Sequence, residues 1–224
     1  MRSIDWSATH NIAGLPKGNK GSILGWGAES IALGRALSCG FLVFLSLWRD
    51  SKYDAVLDSD GCMFRLSIKS SSTGAGITAS SGWRSGQQIS RQAQSRQKIL
   101  SSQESDFLIG VDNRYGLCWT VPIEYIEIFG KTQLKDYHLI EFEEKWKIFA
   151  TTPGGLTRDD LRQGFRHRSL KELQNICANL GGISKPTNFT FDFAPSNPRA
   201  RSVKTLNPVD WHVATIWREI YKRI

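Results

Sequence analysis

Short apolar runs separated by turn residues predict a sheet in the first half of the chain. The mainly apolar run at 41–48 is typical of a buried strand. Residues 53–58 and 62–69 form two further short strands, and Asp60-Gly61 between them is a strong hairpin signal. Residues 106–112 and 117–121 predict a second hairpin. The first half is therefore expected to contain five strands.

Helical patterns surround this sheet. Apolar positions over 22–38 fit a mostly buried helix, and Asn207 followed by Pro208 marks the start of a closing helix. The other predicted elements are an arm at 1–20, a mobile loop at 70–86, a polar helix at 87–101, a short helix at 122–126, a small hairpin or edge at 138–149, and one or two helices over 156–179.

The order of these elements predicts an α/β fold with a mixed central sheet flanked by helices. The character of the chain changes after residue 150, where arginines recur at roughly helical spacing. We therefore divide the chain into a core at 1–150, including the N-terminal arm, and a basic, mainly helical C-terminal extension at 151–224. The extension is expected to contact DNA or a second subunit.

Charge and cysteine usage narrow the possible partners. The 224 residues carry a net charge of +8 and a pI near 9.5, which favours a polyanionic partner, with nucleic acid ahead of a membrane surface. The four cysteines lie far apart and match no zinc-binding spacing. No apolar run is long enough to span a bilayer. We expect a cytoplasmic, DNA-associated protein that makes no membrane contact.

Acidic and basic residues on the first helix and the first hairpin suggest phosphodiester chemistry. Pairing of 53–58 with 62–69 would bring the Asp54 carboxylate close to the Lys69 ammonium. Glu29 on the preceding helix supplies a second acid, and a backbone carbonyl near Ile68 a third hard oxygen. Such oxygens suit Mg²⁺, and a nearby lysine can orient or deprotonate the attacking water. Asp58 shares a strand face with Asp54 and could add negative charge.

The same residues carry a resemblance to the PD-(D/E)XK nuclease superfamily. Gly25-Trp26-Gly27-Ala28-Glu29, Tyr53-Asp54-Ala55-Val56 and Ser67-Ile68-Lys69 resemble its motifs, most closely those of group I intron-associated homing endonucleases. Residues 106–109 and 119–122 also resemble the segments that follow the active site in that group. The resemblance covers about 21–126 and implies a restriction-endonuclease-like sheet and a Mg²⁺-dependent endonuclease.

The resemblance also implies a role for each motif residue. Glu29 would be the acid on the helix, Asp54 the principal metal ligand, and Lys69 the residue that orients the water. Ser67 occupies the position where the family usually has Glu, or Gln in some homing enzymes. Either Glu29 or Asp58 replaces the missing acid, or the enzyme is slow, or it is inactive and only binds DNA.

Candidate DNA contacts lie in three basic stretches, at 84–98, 166–168 and 199–201. Arg and Gln side chains can pair with phosphate or read base edges, although a solvated helix face explains the same composition. The candidates are Arg84, Gln87, Gln88, Arg91, Arg96, Lys98, Arg166, Arg168, Arg199 and Arg201.

The leading hypothesis is a Mg²⁺-dependent, site-specific double-strand DNA endonuclease that acts as a homo-oligomer, a dimer or a tetramer. Apolar residues on more than one face of the closing helix, among them Trp211, Ile216 and Ile220, also point to oligomer contacts. The alternatives are a catalytically impaired DNA-binding protein derived from a nuclease, and an enzyme that resembles a Holliday junction resolvase.

Overall fold

The computed structural model describes residues 14–47, 51–81, 98–181 and 207–224. The strands are β1 (Leu42–Leu45), β2 (Ala55–Ser59), β3 (Cys62–Ser71), β4 (Gly76–Thr78), β5 (Ser80–Ser81), β6 (Lys98–Ile99), β7 (Phe107–Asp112), β8 (Leu117–Pro122) and β9 (Gln133–Lys135). The α-helices are α1 (Lys17–Ser38), α2 (Ile123–Phe129), α3 (Asp136–Leu139), α4 (Arg158–Gln163), α5 (Leu170–Asn179) and α6 (Pro208–Arg223). Three 3₁₀ turns cover Ile140–Phe142, Trp146–Phe149 and Pro153–Gly155.

A five-stranded sheet with the order β1-β2-β3-β7-β8 forms the centre of the molecule. Strands β3 and β7 are parallel, and the other neighbouring strands are antiparallel. Helix α1 packs against β1, β3 and β7. The predicted α/β class with a mixed central sheet flanked by helices is therefore confirmed.

Aromatic side chains fill the core on one face of the sheet. Phe64 of β3, Phe107 of β7 and Phe149 meet edge to face, with ring centroids 4.9–5.7 Å apart. Phe107 also contacts Trp217 of α6, and Phe165 contacts the same tryptophan. These buried aromatic groups join the sheet and the last helix into one hydrophobic cluster.

A buried carboxylate strengthens this connection. Glu124 of α2 is 4 % exposed and accepts hydrogen bonds from the Phe165 N–H and from Trp217 Nε1, at 2.8 and 3.0 Å. Burial raises the pKa of Glu124, although these donors and the backbone of Arg166 oppose the increase. Residues from the C-terminal part thus bind directly to the helix that follows the sheet. The proposed division into a core and an extension stays a prediction.

Several predicted elements differ from the structure. The segment 138–149 was expected to form a small hairpin or an edge, but it contains the end of α3 and two 3₁₀ turns. Strands β4 and β5 lie in the segment predicted as a loop at 70–86, and β6 occupies the end of the predicted polar helix. Helix α1 begins at Lys17, inside the expected N-terminal arm.

The apolar residues of α6 are accounted for within a single chain. Trp211, Ile216 and Ile220 are 4 % exposed or less. Their distribution around the helix therefore gives no support to oligomer contacts at this place, and that interpretation of the pattern was wrong. In the part of the chain that the structure describes, no helix combines the length and hydrophobicity required for a membrane span.

Candidate active site

The β2–β3 hairpin is formed by a tight turn with positive φ angles at Asp60 and Gly61, 51° and 84°. This backbone geometry is the reason for the Asp-Gly pair, because glycine adopts positive φ without steric strain. Asp58 Oδ1 accepts a hydrogen bond from the Gly61 N–H at 2.7 Å. Asp58 therefore stabilises the turn at the end of β2 that is remote from Asp54.

Asp54 lies just before β2, at the other end of that strand. Its N–H donates to the Leu66 carbonyl at 2.8 Å, and its carbonyl accepts from the Ser46 N–H at 3.0 Å. The side-chain Oδ2 accepts from the Ile68 N–H at 2.7 Å. This contact fixes the half-buried carboxylate beside β3, one residue before Lys69. Oδ1 has no hydrogen-bond donor among the described residues.

Lys69 lies farther along β3, on the same face as Ser67 because side chains alternate along a strand. Ser67 is buried at 2 % exposure, whereas Lys69 is half-buried. Across the parallel pair, Lys69 lies opposite Gly110. A Cβ at Gly110 would come within 2.6 Å of the Ile77 Cδ1, so a larger residue there would require the Ile77 side chain of β4 to move.

Lys69 makes no direct ion pair or side-chain hydrogen bond with any described residue, Asp54 included. The structure shows the Asp54 carboxylate bound to the backbone N–H of Ile68, the residue before Lys69, and no salt bridge between the two charges. Their expected closeness stays a prediction. Among the described residues, neither the Lys69 ammonium nor Asp54 Oδ1 has a hydrogen-bond or ion-pair partner, so each is suited to bind an external ligand.

Glu29 lies on α1 next to Ala28 and Ala32, two residues of the stripe that α1 buries. The Glu29 side chain is half-buried, and α1 packs against β3, the strand of Lys69. The helix thus approaches the strand that the motif requires. Convergence of Glu29 with Asp54 stays a prediction.

The donor set permits a magnesium site with few protein ligands. Within the described ranges, no three His, Cys, Asp or Glu side chains are grouped closely enough to hold a metal. Mg²⁺ in proteins often uses one or two carboxylates and keeps several waters. The open Oδ1 of Asp54 fits this kind of site, and Glu29 and the Ile68 carbonyl stay predicted ligands.

Most of the predicted DNA contacts cannot be compared with the structure. Seven of them lie outside the described residues: Arg84, Gln87, Gln88, Arg91, Arg96, Arg199 and Arg201. The other three take part in ion pairs within the chain. Lys98 pairs with Glu104 at 3.1 Å, Arg166 with Glu127 at 3.1 Å, and Arg168 with Asp160. Their charges are partly compensated, and their contact with DNA stays a prediction.

One strong ion pair beside the site was not anticipated. Arg65 of β3 donates to both oxygens of Asp106, at 3.2 Å from Nε and 2.8 Å from Nη2, and its N–H also donates to Oδ2 at 2.7 Å. The carboxylate is nearly buried, so the pair fixes the start of β7 against β3. The two residues are 41 positions apart, and no local pattern connects them.

The chain matches no family profile, and it matches no curated protein. Among solved structures, its fold is similar to that of a bacterial homing endonuclease, I-Ssp6803I. The similarity covers 57% of this chain and 90% of the other, with a TM-score of 0.47 and 18% sequence identity. At this level the likeness assigns no role to any residue, and membership of the PD-(D/E)XK superfamily stays a prediction.

Proposed function

We propose that this chain is a Mg²⁺-dependent, site-specific DNA endonuclease that hydrolyses phosphodiester bonds in both strands of a duplex. The observation that supports the proposal best is the arrangement of Asp54. One carboxylate oxygen binds the Ile68 N–H, and the other has no donor among the described residues. Lys69 follows directly and has no ion-pair partner in the same part of the chain. The net charge of +8 favours a polyanionic substrate.

Each residue then has a defined task. Bound Mg²⁺, held by Asp54 and Glu29 with the Ile68 carbonyl, would neutralise developing charge on the phosphate. Lys69 would orient the attacking water or accept its proton. The hydrogen bond to Ile68 fixes Asp54 before substrate binds, which reduces the reorganisation required during the reaction. Cutting both strands requires two active sites, so the proposal includes a homo-oligomer, a dimer or a tetramer.

The test is cleavage of a plasmid library of random DNA inserts in Mg²⁺, with sequencing of the ends produced. Asp54→Asn and Lys69→Met are expected to reduce the cleavage rate by about a thousandfold or more, because each removes a charge at the reacting phosphate. Asp58→Asn keeps a turn acceptor for Gly61, and Lys147→Met changes an exposed lysine elsewhere. Both control variants are expected to cut like the wild type.

Two results contradict the catalytic assignment. One is the absence of any Mg²⁺-dependent cutting by the wild type. The other is undiminished cutting by Asp54→Asn.

A second candidate is a DNA-binding protein that has lost catalysis. It is favoured by Ser67, which brings no charge to a position where the resemblance expects an acid, and by the absence of a three-residue metal cluster within the described ranges. This candidate predicts salt-sensitive DNA binding that Mg²⁺ leaves unchanged, with the DNA intact. A gain of cutting by Ser67→Glu would support it. Cutting by the wild type would eliminate it.

A further inference from the structure

Five of the eleven exposed large apolar side chains in the described ranges lie on β1, just after it, or on β3 in the row that Asp58 connects to Leu42. We name this cluster the edge patch; it consists of Leu42, Phe44, Leu45, Leu47 and Met63. The exposed fractions of these side chains run from 46 % at Met63 to 94 % at Leu47. Leu42 and Phe44 lie on one face of β1, and Leu45 lies on the other. Apolar groups are therefore exposed on both sides of the same strand.

β1 is also an edge strand with a free backbone edge. Within the described residues it pairs with β2 alone, in an antiparallel register from Leu42 opposite Asp58 to Leu45 opposite Ala55. Proteins usually protect such an edge with charges, proline, a bulge or a covering segment. The sequence over 41–48 contains no charged residue and no proline. Among the described residues no strand pairs with the outer edge of β1, and an apolar edge of this kind is a template for another strand.

We infer that β1 pairs antiparallel with β1 of a second copy of this chain, so that two central sheets join into one continuous sheet across a two-fold axis. A strand that pairs with itself must not place like charges opposite each other, and β1 meets this condition because it carries none. The inference deepens the proposed function, because it identifies the surface that brings two Asp54–Lys69 sites together.

The size of the edge patch agrees with a dimer interface. At roughly 150–250 Å² for each large side chain, its members expose on the order of 500 Å². A standard interface buries about 800 Å² on each partner, including backbone and flanking polar groups. The side chains of the patch alone provide more than half of that area. In the joined sheet, the side chains of β1 would contact those of the partner strand on both faces.

The experiment is sedimentation of the Asp54→Asn protein across concentrations, without DNA or Mg²⁺, so that the result does not depend on catalysis. The parent protein is expected to sediment as a dimer or a multiple of a dimer. Phe44→Lys, placed opposite itself near the two-fold axis, is expected to raise the dissociation constant at least about thirtyfold. Ile140→Lys is the matched control, since Ile140 is 67 % exposed away from the patch.

Circular dichroism verifies that each variant is folded. Leu47→Lys provides a second disruption at a side chain that is 94 % exposed, so its replacement is expected to leave the folded chain intact. Hydrogen exchange of residues 42–45 distinguishes strand pairing from contact through side chains alone. Slow exchange is expected in the assembly and fast exchange in Leu47→Lys.

A monomeric parent protein at tens of micromolar overturns the inference, and so does an assembly that neither lysine variant weakens. Fast exchange over 42–45 in the assembled protein overturns the strand pairing. The proposed function has a separate test. A chain that assembles as described but never cuts DNA leaves this inference standing and removes only the endonuclease. Conversely, a Phe44→Lys protein that still nicks one strand of plasmid supports both.

Discussion

The Asp54 carboxylate combines a structural task with a proposed chemical task, and a single substitution can separate them. An asparagine at this position still offers an oxygen to the Ile68 N–H, at the place where Oδ2 accepts at 2.7 Å. It offers no charge to a metal or a phosphate. We therefore expect Asp54→Asn to change the free energy of unfolding by less than about 1 kcal/mol, the net value of one hydrogen bond. Urea unfolding measured beside the cleavage assay would show this difference.

Asp54→Ala is the complementary variant, because it also removes the acceptor and leaves the Ile68 N–H without a partner. It should lose about 1–3 kcal/mol of stability. Equal stability losses for the two variants would show that the hydrogen bond to Ile68 contributes nothing to the fold.

The second prediction at the scale of the residue concerns the buried His138 and the dependence of stability on pH. His138 is 7 % exposed, and its Nδ1 accepts a hydrogen bond from the Lys135 N–H at 3.0 Å. Burial, together with the positive charges of Lys131 and Lys135, lowers the pKa of His138 to about 4, against the partial opposition of Asp136. A pKa lowered by folding stabilises the protein above about pH 6.5, and this contribution is lost as the pH falls towards 4.

His138→Asn keeps an acceptor for the Lys135 N–H and cannot gain a proton. The free energy of unfolding should therefore fall less between pH 6.5 and 4 in this variant than in the wild type. His167→Asn, at an exposed histidine, is the control and should follow the wild type. Parallel curves for all three proteins in urea unfolding at several pH values would contradict the assignment.

Residues whose position follows from a local pattern were predictable from the sequence, whereas residues whose partners are remote in the chain were not. The turn at Asp60 and Gly61 was predicted because its chemistry is contained in neighbouring residues. The burial of His138 and His212 and the pairing of Arg65 with Asp106 depend on segments that come together only in the folded chain. Charged or polar residues of this kind look like surface residues in a sequence.

At the scale of the element, replacing glycine by alanine should change stability in opposite directions at two positions that differ in backbone conformation. Gly61 has φ 84°, where a side chain is strained, so Gly61→Ala should cost about 1 kcal/mol. Gly34 lies in the interior of α1, and a Cβ there would meet nothing within 4 Å. Gly34→Ala should stabilise the protein by about 0.5–1 kcal/mol, because alanine loses less backbone entropy in a helix. Thermal and urea unfolding measure both, and a loss of stability in Gly34→Ala would show that α1 tolerates no side chain there.

The next prediction concerns the contribution of Glu124, on helix α2, to stability. The carboxylate accepts from the Phe165 N–H and Trp217 Nε1, and an amide in its place would present an NH₂ group to one of these donors. We expect Glu124→Gln to lose about 1–3 kcal/mol at neutral pH, the range for a buried donor left unsatisfied. Glu143→Gln, at an exposed acid, is the control and should change little.

The pH dependence of Glu124 has the opposite sign to that of His138. Because burial raises the pKa of this carboxyl, the folded state retains the proton longer, and stability decreases as the pH rises through the raised pKa. Glu124→Gln should lack this decrease. If the slope of stability above pH 4.5 is the same in both proteins, the carboxyl is not desolvated as described.

The strands were predicted more accurately than the connecting segments, for a physical reason. Strands β2, β3, β7 and β8 carry continuous or alternating apolar residues that a sheet with two covered faces requires. The segment 138–149 shows a similar alternation, but Phe142 and Phe149 enter the core from 3₁₀ turns. Short apolar runs do not distinguish these conformations, because tertiary packing decides between them.

At the scale of the whole molecule, some positively charged side chains of the described residues are in ion pairs with carboxylates, and others are not. Arg166 and Arg168 are held by Glu127, Asp210 and Asp160, whereas Lys69 has no ion-pair partner among the described residues. A cation that already pairs with a carboxylate must lose that pair before it can displace a counterion from DNA. The total of 29 Lys and Arg residues therefore overstates the number of cations available to the phosphate backbone.

This difference predicts how salt changes DNA binding. With Asp54→Asn as the uncleaving parent, the logarithm of the binding constant should fall linearly with the logarithm of the salt concentration, by about 0.9 for each neutralised phosphate. Adding Lys69→Met should reduce the slope by about 0.9, since this ammonium has no competing partner in the described chain. Adding Arg168→Gln should reduce it by clearly less, because Asp160 already holds the guanidinium. Fluorescence anisotropy with a labelled duplex measures all three slopes. A full reduction in the Arg168→Gln protein would show that Arg168 leaves Asp160 to bind phosphate, as its position in the basic segment first suggested.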